Sequence, residues 1–302
     1  MITPEKALAD LAAMFTPERT APGMREALRR AVTITELEPP GVEVVEDITL
    51  PGPSTPLPAR VWRPFDAADN GAGLVYFHGG GFVTGDIETH AALCQRLAAA
   101  SGVRVVSVDY RRAPEHAFPA AVNDALAAFD AVYDGALAYH GFSPDRLAVG
   151  GDSAGGNLAA VIAQHRRGKV AFQLLLYPLL QLVEIERARQ PWQEGPLLSR
   201  EILHRVRHSY LRSQDDEKDV RVSPLLADDL KGLAPTFLLA AELDPLVNEG
   251  KAYAERLAAF GVPVERVVYN TMPHGFLNMT RILPQAVEAI VQAARALAKG
   301  LA

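Results

Sequence analysis

The chain has 302 residues, 49% of them hydrophobic and 22% charged, with a formal net charge of −6. That suffices for one large domain, or one domain with a small lid, and the composition is ordinary for a soluble globular enzyme. The negative balance gives no electrostatic reason to expect nucleic acid or an anionic membrane as partner. No stretch approaches the roughly 20 apolar residues of a bilayer span, and no signal-type apolar core follows Met1, so a cytoplasmic location is expected.

Apolar spacing of three and four predicts two short helices over 4–15 and 23–32, closed by Pro39-Pro40. Segments 42–50 and 57–62 alternate apolar and polar residues around Pro51-Gly52-Pro53, as in a hairpin-like pair of strands. Apolar runs at 74–77, 103–108, 147–149, 172–177, 236–241 and 264–269 then read as strands. Helical patterns at 91–100, 119–139, 157–167 and 247–260 separate most of them, and a last helix is expected over 284–298. Strands alternating with helices imply an α/β fold, a mostly parallel sheet covered on both faces. Eight strands are expected, the first two antiparallel to the rest. The single cysteine, Cys94, excludes an intramolecular disulfide and a multi-cysteine metal site; among Leu93, Leu97 and Ala98 it reads as a buried structural thiol. Between 180 and 235 no strand is predicted. That stretch holds Pro191-Trp192, a helix over 199–211 and the run Asp215-Asp216-Glu217-Lys218-Asp219, and reads as a lid over the carboxyl edge of the sheet.

The chemistry concentrates at Gly151-Asp152-Ser153-Ala154-Gly155, between an apolar run and a helical pattern. A serine on a sharp strand-to-helix turn is held in a strained backbone shape with its hydroxyl exposed, and glycines two residues away on either side avoid a clash. Such a serine needs a base, usually histidine, oriented by a carboxylate. In an α/β-hydrolase arrangement these follow in the order Ser, acid, His, in loops after strands. Of the histidines after Ser153, His165 ends a helix beside two arginines, and His204 and His208 lie four apart on the lid helix with no third metal ligand in view. His274 alone sits in a loop directly after a strand. For the acid, Asp244 and Glu242 compete in the loop after 236–241. Asp244 is preferred because it lies further into the loop, before Pro245.

His78-Gly79-Gly80-Gly81-Phe82 follows another strand. Three successive glycines are costly in conformational entropy, and are justified where backbone N–H groups converge on a small anion. The expected donors are the amides of Gly79, Gly80 and Ala154, with His78 holding the loop and taking no part in proton transfer.

In order along the chain stand His78-Gly79-Gly80-Gly81, Tyr110-Arg111-Arg112-Ala113-Pro114-Glu115-His116, Gly151-Asp152-Ser153-Ala154-Gly155-Gly156, Asp244-Pro245-Leu246 and His274-Gly275-Phe276. This series resembles the bacterial hormone-sensitive-lipase-like esterases, α/β-hydrolases of the Gly-Asp-Ser-Ala-Gly branch, over roughly residues 70–300. The resemblance implies an α/β-hydrolase core over 41–180 and 223–302. It also implies a helical cap combining 1–40 with the insertion 181–222. Nucleophile, acid and base fall on Ser153, Asp244 and His274. No cofactor is implied, and dimers are common. Arg112 and Asn248 depart from the usual apolar residue and aspartate at their positions, and the family treats Glu115 and His116 as structural.

The expected activity is therefore hydrolysis of short- to medium-chain carboxylic esters. Amide hydrolysis or acyl transfer on the same triad is the alternative. A non-catalytic receptor on this fold is disfavoured because His274 is retained. Phe82, Trp192, Leu197, Leu198 and Phe276 are candidates for the substrate pocket.

Overall fold

The computed structural model describes residues 20–68, 70–183 and 197–302. The predicted helix over 4–15 and Trp192 lie outside them. The elements in chain order are α1 (Ala21–Thr35), β1 (Val44–Leu50), β2 (Leu57–Arg63), β3 (Gly73–Phe77), α2 (Ile87–Ser101), β4 (Arg104–Val108) and α3 (Ala120–Tyr133). There follow β5 (Leu147–Asp152), α4 (Ala154–His165), β6 (Phe172–Leu176), α5 (Arg200–Tyr210), β7 (Thr236–Leu243), α6 (Val247–Ala259), β8 (Val264–Pro273) and α7 (Pro284–Gly300).

The eight strands form one sheet in the order β1-β2-β4-β3-β5-β6-β7-β8. β3 to β8 pair in parallel, while β2 is antiparallel to both β1 and β4. The expectation that the first two strands oppose the rest thus holds for β2 alone. A hairpin reverses direction once, so β1 returns to the direction of the parallel strands. The central strands β3, β4, β5 and β6 are buried along their whole length, because helices cover both faces. Alternation across the pleat divides the core. Val75 and Phe77 of β3 pack with α3 and α4 on one face, and Leu74 and Tyr76 with α2 and α7 on the other. Cys94 of α2 is buried in the second layer, where burial pushes its thiol well above the usual range.

Several boundaries differ from the sequence pattern: the strands expected at 147–149 and 264–269 run on to Asp152 and Pro273, and the helix expected over 91–100 begins at Ile87. The helix expected over 119–139 stops at Tyr133, because Gly135 takes a left-handed conformation (φ 99°) and only a short 3-10 turn, Ala138–His140, follows. The helix expected from 157 begins at Ala154, directly after the turn at Ser153. Among the described residues no helix is long and apolar enough to cross a membrane.

α1 is fastened by side chains to the segments that follow β3, β4 and β8. Arg25 donates to Val83 O (2.8 Å) and Ala113 O (2.9 Å) and forms a fork on Glu115 at 2.9 and 2.7 Å. Arg29 pairs with Asp86, and Thr35 Oγ1 donates to Asn278 O at 2.7 Å. Glu115 is therefore a structural partner of α1, and the Arg25 guanidinium lowers its carboxyl to about 2. α5 is capped by Ser199, whose Oγ accepts from Ile202 N. Both helices stand over the carboxyl end of the parallel strands and wall the cavity described next.

Candidate active site

Four strand ends converge on one place. Ser153 follows the last residue of β5, Asp244 that of β7, His274 that of β8, and His78 that of β3. The carboxyl edge of a parallel sheet gathers residues distant in sequence in this way.

Ser153 has φ 53° and ψ −117°, a left-handed backbone for a residue bearing a Cβ. Such strain costs on the order of 1–3 kcal/mol and persists where the surroundings enforce it. Here the enforcement is close backbone packing. A Cβ at Gly155 would lie 1.8 Å from Phe77 O, and one at Gly151 2.4 Å from the same oxygen. The chain beyond is pinned by Ser153 N donating to Leu176 O at 2.9 Å and Leu179 N donating to Ser153 O at 3.0 Å.

The side chains of Ser153, His274 and Asp244 form one hydrogen-bonded series. His274 Nε2 lies 2.9 Å from Ser153 Oγ, and His274 Nδ1 lies 2.7 Å from Asp244 Oδ2. Asp244 is 1% exposed, and its other oxygen accepts the Leu246 amide at 2.8 Å. Glu242, the competing acid, stays in β7 and is exposed. It accepts the amide of Thr271 at 2.7 Å and does not meet His274. The His274 ring packs edge-on against Tyr177, ring centroids 5.0 Å apart.

The glycine loop departs from expectation at one position. The Gly79 amide donates to Asp152 Oδ1 at 2.9 Å, so it is engaged inside the protein. Gly80 and Gly81 instead line the cavity with Ser153 and His274. Gly80 is turned by φ 114°, a conformation that favours glycine, and its carbonyl accepts the amides of Val83 and Thr84. Ala154 begins α4, where the first helical amides have no partner within the helix. His78 is buried, with Nδ1 2.9 Å from Gly79 O and its ring stacked on Tyr110 at 4.3 Å. Tyr110 OH donates to His78 O at 2.8 Å.

The cavity above Ser153 measures about 170 Å³. Its apolar wall comes chiefly from α1 (Met24, Leu28, Val32) and α5 (Ile202, Leu203, Val206), with Leu197 and Leu198 beside them. Phe82 is fully buried and stacked on Tyr210 at 3.9 Å. Phe276 is fully buried against Tyr177 and Tyr269. Both aromatic rings belong to the core. The α1 residues were missed, although the spacing of Met24, Leu28 and Val32 marks one apolar helix face. Arg112 donates to Gly85 O and lies 3.5 Å from Asp109, which ties the glycine loop to the β4 end. Asn248 is exposed in the first turn of α6.

Residues 74–278 match a protein-family model described as having the alpha/beta hydrolase fold. A curated relative, the carboxylic ester hydrolase LipN of Mycobacterium tuberculosis, is 42% identical over 259 residues, covering 80% of this chain and 68% of its own. An ethyl acetate hydrolase of Pseudomonas putida is 38% identical over 252 residues, covering 81% and 79%. Among solved structures, a hyperthermophilic esterase from the archaeon Pyrobaculum calidifontis superposes with a TM-score of 0.89 at 39% identity, over 97% of this chain and 96% of its own. The chain belongs to the α/β-hydrolase family, among the hormone-sensitive-lipase-like esterases.

Proposed function

We propose that this protein is a serine carboxylesterase acting on small carboxylic esters through an acyl-enzyme. The observation that carries the reading is the continuous hydrogen-bonded series Asp244–His274–Ser153 at the floor of an apolar cavity. Ser153 Oγ attacks the ester carbonyl carbon as His274 Nε2 takes its proton. Asp244 holds the imidazole tautomer with Nδ1–H directed at its carboxylate and stabilises the imidazolium that forms. The carbonyl oxygen, now an anion, accepts from the amides of Gly80 and Gly81, which line the cavity, and of Ala154 at the start of α4. Collapse of the tetrahedral intermediate expels the alcohol, which takes the proton from His274. Water then repeats the sequence on the acyl-enzyme and releases the acid.

Size and lining support small, apolar acyl or alcohol groups. A dry cavity of about 150 Å³ accommodates a benzene-sized molecule, and the cavity here is close to that at about 170 Å³. The name of the ethyl acetate hydrolase relative points the same way. In this reading α1 and α5, which belong to the segments 1–40 and 181–222, act as a cap, since both wall the cavity.

Hydrolysis of a series of p-nitrophenyl esters tests the proposal. Turnover is expected to be highest for short acyl chains and to fall as the acyl group outgrows the cavity. Ser153→Ala is expected to abolish turnover while leaving the circular dichroism spectrum unchanged. Sustained turnover in that variant contradicts the assignment, and faster turnover of matched amides than of esters moves the reaction class to amide hydrolysis.

A further inference from the structure

Asp152 is oddly placed for an anion. It is the last residue of β5, next to Ser153, and lines the same cavity while being only 3% exposed. A negative charge beside a developing oxyanion opposes its formation unless fixed donors absorb it. Asp152 has such donors on both oxygens. Oδ1 accepts the Gly79 amide at 2.9 Å and the Tyr76 hydroxyl at 2.7 Å, and Oδ2 faces His90 Nε2 at 3.3 Å. His90 is buried in the first turn of α2, its Nδ1 3.0 Å from Thr89 Oγ1, and Thr89 is locked in a capping box with Asp86. Burial works against charge on each partner. The Asp152 carboxylate nevertheless holds His90 above the usual histidine range, and His90 with Tyr76 holds Asp152 below the usual carboxylate range.

We propose that Asp152 is a positioning residue for the oxyanion hole: it grips the glycine loop through the Gly79 amide, while His90 and Tyr76 balance its charge. The grip accounts for the division of labour among three adjacent glycines. Gly79 turns its N–H inward to Asp152, and Gly80 and Gly81 are left along the cavity. It also accounts for glycine at 79, where a Cβ would lie 2.3 Å from Asp152 Oδ2. Because Asp152 and Ser153 are consecutive, one short segment fixes both the nucleophile and the donors that receive the oxyanion. This inference rests on the esterase reading above.

The test compares kcat and KM on a short p-nitrophenyl ester, expressed per reactive serine by end-point titration with a fluorophosphonate. Asp152→Ala is expected to lower kcat on the order of 10²-fold, the scale of losing one oxyanion donor, with KM changed only a few-fold. Affinity for an alkylboronic acid, whose tetrahedral adduct on Ser153 places an oxygen in the hole, is expected to fall in parallel. Asp152→Asn retains an acceptor for Gly79 and Tyr76 and is expected to recover most of the loss. Gly79→Ala provides a second route, displacing the carboxylate with every other group kept, and should show the same pattern if Asp152→Ala does not fold. Unchanged kcat per serine in these variants, or a loss confined to KM with boronate affinity intact, overturns the inference and leaves the esterase reading standing. Absence of ester turnover in the unaltered protein overturns the esterase reading itself.

Discussion

At the scale of single residues, geometry separates side chains that the sequence leaves equivalent. Asp244 and Glu242 are two residues apart, yet only Asp244 leaves the strand and meets His274. If Asp244 fixes the imidazole tautomer, Asp244→Asn is expected to lower kcat by about 10³–10⁴-fold, because an amide in its place favours the wrong tautomer. Stability should change little beside that loss. Kinetics alongside a urea denaturation curve checks this, and a kcat within tenfold of the unaltered protein contradicts the role. Ser153, Asp244 and His274 were legible from sequence because each stands just after a strand that periodicity reveals. The engagement of Gly79 was not legible. Which of three adjacent amides turns inward depends on Asp152, a residue on another strand.

At the scale of elements, α1 shows what periodicity can and cannot reveal. Its amphipathic pattern announces a helix, but the identity of the surface it covers comes from Arg25 reaching Val83, Ala113 and Glu115. Phe82 and Phe276 failed as pocket residues for a related reason. An aromatic ring beside a catalytic motif is assigned to pocket or core by distant partners, here Tyr210 for Phe82. The end of α1 carries a testable electrostatic feature. Glu36 is its C-cap residue, where a negative charge opposes the helix dipole. Burial raises its carboxyl to about 7, against the opposing pull of His90 and Arg96. The folded state therefore holds a proton that the unfolded chain releases. The folded state is favoured below about pH 4.5, and that advantage declines as pH rises through about 7. Glu36→Gln removes the ionisation, so the variant should gain stability relative to the parent between pH 4.5 and 8, on the order of 3 kcal/mol. Denaturant curves at the two pH values measure the difference, and an equal effect at both contradicts it.

At the scale of the whole molecule, the parallel sheet brings together residues far apart in the chain. Ser153 and His274 are separated by 121 residues yet lie within a hydrogen bond. The fold was largely readable because buried parallel strands appear as unbroken apolar runs separated by helical periods. The sense of β1 was not, since an alternating hairpin strand looks the same in either direction and only pairing with β2 settles it. Both faces of the sheet are covered, leaving the carboxyl edge under α1 and α5 as the place for chemistry. The central claim, covalent catalysis by Ser153 at that edge, is most directly tested by trapping the acyl-enzyme. The protein is mixed with p-nitrophenyl acetate, quenched in acid during turnover, digested and examined by mass spectrometry. The account predicts one acetyl group, on Ser153, and none in Ser153→Ala. Continued ester turnover with no acyl group on Ser153 would contradict it.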